Sequence, residues 1–143
     1  MNFGAKMKYV TNGKAWIVSG CLLAAVAVGF GAIGSHLLKE TLDVDGLARW
    51  ETASKYHMYH ALGLIAVGMA TTLNAGRRKI VGCIMFVGVL LFSGSLYAYA
   101  LTEFKPLVAV VPFGGFSMII SWILFAWFSF SSGLVEGKKH DGA

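Results

Sequence analysis

Residues 16–38 read WIVSGCLLAAVAVGFGAIGSHLL, with no Asp, Glu, Lys or Arg among them. A helix of that length covers about 30 Å of hydrocarbon at about 1.5 Å per residue. Three further apolar runs follow, at about Tyr56–Leu73, Ile80–Leu101 and Leu107–Phe130. Backbone groups in lipid must bond within their own segment, and the alternation expected of barrel strands is absent. The reading is an all-α membrane protein, a four-transmembrane-helix bundle.

Composition agrees. The 143 residues are 57% hydrophobic and 13% charged, with a mean hydropathy of +0.68. A soluble domain carries about 25% charged residues, so this chain has too little polar surface to cover itself in water. The length allows one domain, residues 1–143. No convincing internal repeat is present.

The net charge of +5 does not point to nucleic acid. The basic residues sit in short clusters between apolar runs: Lys6, Lys8 and Lys14; Arg77, Arg78 and Lys79; Lys138 and Lys139. Such flanks set membrane orientation. The intervening loops hold Lys39, Arg49, Lys55 and Lys105, offset by Glu40, Asp43, Asp45, Glu51 and Glu103. The positive-inside rule therefore places both termini in the cytoplasm. Trp16, Tyr56, Tyr97, Tyr99 and Trp127 fall near run ends, as interfacial aromatics do.

Between the first two runs, Asp45 can cap a helix starting near Leu47. Leu47, Trp50, Ser54 and His57 share a face by helical spacing. This predicts a short amphipathic helix leading into the second span. In the fourth run, Pro112, Phe113, Gly114 and Gly115 interrupt the pattern. Proline suits a first helical turn, so the helix starts near Pro112, with Leu107–Val111 as an apolar entry. A longer, kinked helix is the alternative.

Two motifs are discounted. Gly29-Phe30-Gly31-Ala32-Ile33-Gly34 spells the dinucleotide fingerprint, but inside a membrane span rather than between a strand and a helix. Val18-Ser19-Gly20-Cys21 resembles a lipoprotein cleavage box, but the apolar stretch ahead of it is short and the run continues to Leu38. Cys21 and Cys83 lie in apolar runs and read as packing residues.

Small residues suit close helix packing. Gly20, Ala24, Ala27, Gly31 and Ser35 form one such face, and Gly34, Gly94, Gly114 and Gly115 are further packing positions. Polar residues gather elsewhere. With the orientation above, His36, His57, His60, Ser93, Ser95 and Tyr97 all converge on the external half of the bundle. Polar groups at that depth are costly and often functional. One reading has the histidines bonding to Ser93, Ser95, Tyr59 or backbone carbonyls; others are a proton or small-solute site, or ligation of a metal or haem iron. Ser93 is expected within direct or water-mediated reach of His60. No catalytic motif surrounds these residues, so no enzyme activity and no cofactor is expected.

These residues carry a resemblance. Gly31-Ala32-Ile33-Gly34-Ser35-His36 resembles a family segment Gly-Ala-Phe-Gly-Ala-His. Trp50, Thr52, Tyr56 and His60-Ala61-Leu62 resemble its Trp-x-Thr…Tyr-x-x-x-His-Ala-Leu. Leu91-Phe92-Ser93-Gly94-Ser95-Leu96-Tyr97 is similar to its third-span signature, and Pro112-x-Gly114-Gly115…Trp122 to its Thr-Pro-x-Gly-Gly…Gly-Trp. The family is the YgdD/YwdK type of small bacterial inner-membrane protein, a domain of unknown function with mitochondrial transmembrane relatives. His57 stands where the family usually has Gln, Val111 replaces Thr and Ser121 replaces Gly. The resemblance implies a multi-pass, four-span inner-membrane fold and no particular activity. The expected partners are membrane lipids and another membrane protein or a second copy, and the expected role is that of a non-enzymatic accessory or assembly subunit. A histidine-centred binding or translocation site is the alternative.

Overall fold

The computed structural model describes the backbone of residues 3–140 and the side chains of residues 13–132. Lys6, Lys8, Lys138 and Lys139, which bear on orientation, lie outside the described side chains. The described residues form helices and turns, with no strand. The order is α1 (Phe3–His36), α2 (Val44–Met69), α3 (Ala75–Val89), a π-helical turn (Leu90–Gly94), α4 (Ser95–Thr102) and α5 (Pro106–His140). The α3, π and α4 segments run on without a break, so the chain makes four helical runs. Three of them are long and apolar enough to cross a membrane: Gly13–His36, Ala75–Thr102 and Pro106–Ser132. The α2 helix is not among these three.

Local chemistry sets the boundaries. The Asp43 carboxylate accepts from the Gly46 N–H at 2.6 Å and caps α2. The expected cap, Asp45, lies inside the first turn and pairs with Arg49 at 3.8 Å instead. No separate amphipathic helix forms. The segment expected to be one is the opening of α2, because nothing between Leu47 and Tyr56 breaks a helix. Asn74 caps α3 by accepting from the Arg77 N–H at 2.9 Å. Pro106, not Pro112, opens α5, and Pro112 sits within the helix. Pro106 fills the position where a missing N–H costs nothing. The long apolar run beyond it carries the helix past Pro112. The α4 helix ends at Glu103, whose φ of 54° is left-handed.

The runs pack antiparallel, and glycines set how closely. The α1–α2 seam pairs Gly13 with Gly68, Gly20 with Ala61, Ala27 with Ser54 and Gly34 with Trp50. On α1 these positions recur every seven residues, a period that keeps two helices in register over many turns. A Cβ on Gly20 would stand 2.6 Å from the Ala61 carbonyl oxygen and 2.9 Å from the Ile65 nitrogen, so only glycine fits. A Cβ at Gly114 would strike the Phe92 nitrogen, and one at Gly88 would stand 3.1 Å from the Met118 nitrogen. These two glycines bring α5 against α3 and the π turn. Gly82 is a seat for the Trp16 ring, so Trp16 packs onto α3 as well as marking a run end.

Two of the predicted packing residues serve no seam. Ser35 is exposed, and its hydroxyl donates to Gly31 and Ala32 carbonyls at 3.1 Å on its own helix. Gly94, in the π turn, faces open space. Ala24 is half-buried. Leu64, Val67, Leu73, Val81 and Met85 form one core cluster, with Leu124, Phe125 and Phe128 of α5 against it. Trp50, Ala53, Tyr97 and Ala100 form the second.

Candidate functional site

His57 and His60 are three residues apart on the buried face of α2, each 5% exposed. They diverge from there. The His57 ring faces α4, with its Nδ1 3.5 Å from the Tyr97 hydroxyl and the ring centroids 6.1 Å apart. His60 faces α5, its ring 6.1 Å from that of Trp122. The His60 Nδ1 lies 2.7 Å from the Tyr56 carbonyl oxygen. A carbonyl only accepts, so Nδ1 carries the proton, and in the neutral ring the Nε2 lone pair is left over. His36 ends α1 and is exposed, away from both. Among the described residues, no three of His, Cys, Asp and Glu gather as metal ligands would.

Ser93, Ser95 and Tyr97 are all buried, at 1%, 7% and 7% exposure. Ser93 sits in the π turn, and its hydroxyl has no hydrogen-bond partner among the described residues. No direct bond joins it to His60, whose Nδ1 is committed to Tyr56. The His57 Nε2 is likewise enclosed without a partner. The Tyr97 ring packs edge-on against Phe30 at 4.8 Å and Trp50 at 4.6 Å. The predicted polar cluster therefore divides. His57 and Tyr97 pair, His60 belongs to a groove against α5, and His36 stands apart.

That groove has a volume of about 490 Å³ and is lined by Tyr56, Tyr59, His60, Phe92, Gly115 and Trp122, with Met118 and Ile119. Tyr56 stacks on His60 at 6.3 Å and meets Phe92 at 5.0 Å. Gly115 keeps one wall open, because a Cβ there would only reach ordinary contact with the Phe92 ring at 3.7 Å.

Several polar residues have bonding roles that the sequence did not reveal. The Trp50 indole N–H donates to the Phe30 carbonyl across the α1–α2 seam at 2.7 Å, and the Ser54 hydroxyl donates to the Ala27 carbonyl at 3.2 Å. Gly34 makes the first bond possible, since a Cβ there would lie 2.5 Å from the Trp50 ring. At the other end, buried Arg78 donates to the Ala70 and Leu73 carbonyls at 2.6 and 3.0 Å, just past the end of α2. Arg77 reaches Ser131 and Ser132 of α5 and lies over the Phe128 ring at 5.1 Å. For the two arginines the only sequence signal was proximity to helix ends, which an orientation signal gives equally; for Trp50 and Ser54 helical spacing gave a shared face but not the carbonyls they meet.

A family model described as "Protein of unknown function (DUF423)" matches residues 30–115, from the Trp50 acceptor in α1 to the groove glycine in α5. This chain belongs to that family. Among its DUF423 relatives, the UPF0382 membrane protein YwdK of Bacillus subtilis is 42% identical over 113 residues, 78% of this chain and 92% of YwdK. A UPF0382 membrane protein of Staphylococcus saprophyticus is 41% identical over 111 residues, again 78% of this chain and 92% of the relative. The resemblance to the YwdK type is thereby established, and the relatives' names agree with the three long apolar helices in making this a membrane protein. No solved structure matches the chain.

Proposed function

We propose that this DUF423 protein crosses the bacterial inner membrane four times, with both termini in the cytoplasm. It acts without catalysis, as an accessory subunit that docks against a second copy or another membrane protein through the outward face of α1. The supporting observation is Gly29. Nothing lies within 4 Å of where its Cβ would be. A glycine inside a helix costs about 1 kcal/mol relative to alanine. The other α1 glycines described here return that cost through close approach to α2, and Gly29 returns nothing within the chain. It lies on an exposed stripe with Cys21, Ala25 and Ala32, at helical spacing. Small residues on such a stripe let a second backbone come close.

Orientation rests on the basic residues of the sequence, with Lys6, Lys8, Lys14, Arg77, Arg78, Lys79, Lys138 and Lys139 flanking the runs on one side and Lys39, Arg49, Lys55 and Lys105 on the other. Cys21 supplies the test. In a Cys83→Ser background, bis-maleimide cross-linking in native membranes is expected to give one discrete adduct through Cys21, lost in Gly29→Leu. No adduct, or an adduct indifferent to Gly29→Leu, means this face meets lipid alone and overturns the reading.

A further inference from the structure

The α2–α5 groove has a chemistry the docking reading does not use. Its walls are four aromatic rings: Tyr56, Tyr59, Phe92 and Trp122. Tyr59 is 57% exposed and Trp122 41%, so the groove opens on the outer surface of the bundle rather than into its core. Its single ionisable nitrogen base is His60, which is 95% enclosed and rotationally fixed by the Nδ1 bond to Tyr56. With Nδ1 committed, the ring offers one hydrogen-bonding function, an acceptor at Nε2. The Nε2 of His57 is fully enclosed, whereas His60 lines the groove. Gly115 leaves the space opposite unfilled.

We propose that this groove binds a membrane-soluble phenol: an aromatic ring held among the four rings, a hydroxyl donating to His60 Nε2, and an alkyl tail leaving into lipid. Each part has a counterpart. Aromatic walls favour a flat head over a saturated chain, through offset and edge contacts. The His60 acceptor favours a ligand with a donor, because a ligand without one leaves the nitrogen unpaired after water is displaced. The groove's outward mouth accommodates a tail. A volume of about 490 Å³ suits one small amphiphile. A cation has no carboxylate to meet here, and an anion has no Lys or Arg among the lining residues. The proposal is independent of the α1 docking face, which lies on another helix.

The test uses a matched pair of probes, 4-nonylphenol and 4-nonylanisole, in the second of which a methyl group replaces the hydroxyl hydrogen. Partition of each into bicelles carrying the full-length protein is measured against protein-free bicelles of the same lipid. The phenol is expected to bind about 3- to 10-fold more tightly than the ether, the span of one net hydrogen bond. His60→Phe should abolish that preference, and His60→Gln, which keeps an acceptor, should retain part of it. Gly115→Leu should remove saturable binding of both probes. Equal binding of phenol and ether to the unaltered protein overturns the proposal, as does a preference surviving in His60→Phe or no saturable binding of either. Circular dichroism of each variant confirms that a loss of binding is not a loss of fold.

Discussion

Trp50 shows how much one residue pair settles. Its indole N–H meets the Phe30 carbonyl at 2.7 Å, and Gly34 vacates the space the ring needs. Gly34→Ala should push the ring off that carbonyl, and Trp50→Phe removes the donor while keeping an aromatic ring. Each is expected to cost about 1–3 kcal/mol, the penalty of leaving a buried polar group unmatched or a ring displaced. The two should be strongly non-additive, since either change already breaks the same contact. Chemical denaturation in detergent of both single variants and the double variant measures this; simple addition would separate the glycine from the bond. Glu103 gives a contrary case. It holds a left-handed φ of 54° at the end of α4, a conformation in which glycine is unstrained. Glu103→Gly should therefore raise stability, by up to about 1 kcal/mol.

At the scale of elements, the helices were legible and their joints less so. Hydropathy and backbone hydrogen bonding fix four helical runs, and the structure keeps all four. The joints depend on choices between near-equivalent residues. Asp43 and Asp45 both suit a cap, and the one three residues before Gly46 prevails, where the cap carboxylate fits against a residue without a side chain. Pro106 and Pro112 both suit a helix start, and the earlier one wins. The candidate site was legible as a set of residues and not as a cluster. Spacing put His57 and His60 on one face, but which neighbour each ring would meet depended on how α4 and α5 pack against α2, which spacing along one helix does not give. What holds the α2 end was not legible in the sequence, for a physical reason. Arg78 was counted only within the basic cluster that sets orientation, yet it is buried with its guanidinium on the Ala70 and Leu73 carbonyls. A cation there bonds orphaned carbonyls and opposes the negative end of the helix dipole. Arg78→Met should cost about 2–4 kcal/mol by stranding those carbonyls. Arg78→Lys should recover only part, because an ammonium lacks the planar fork that serves two oxygens. Thermal unfolding in detergent ranks the three; equal midpoints for Arg78→Met and the unaltered protein would mean water satisfies the carbonyls.

For the whole molecule, α2 poses the question, since it is the helical run that length and mean composition do not mark as a span. Its apolar part, Tyr56–Met69, is about 20 Å long, short of the hydrocarbon thickness. Averaging around the helix undervalues it. The buried positions begin at Gly46 and continue through Trp50, Ala53, His57, His60 and Leu64 to Gly68, a face about 33 Å long. Along it α2 meets α1, α3 and α4, so its inner side never faces lipid. Asp45, Glu51 and Lys55 fall outside that buried face. A helix sheathed in this way needs apolar residues only on the side left to lipid, where Tyr59, Leu62, Ala66 and Met69 stand beyond the charged opening turns. The crossing can be read from the loops on either side of it. In a chain with Cys21→Ser and Cys83→Ser, a membrane-impermeant maleimide applied to intact cells is expected to label Lys39→Cys and Lys105→Cys. Lys79→Cys, beside the basic cluster, should react only after permeabilisation. Were α2 to lie along the surface, residues 39 and 79 would report the same compartment, and α3 would have to enter the membrane from the side where α1 left it.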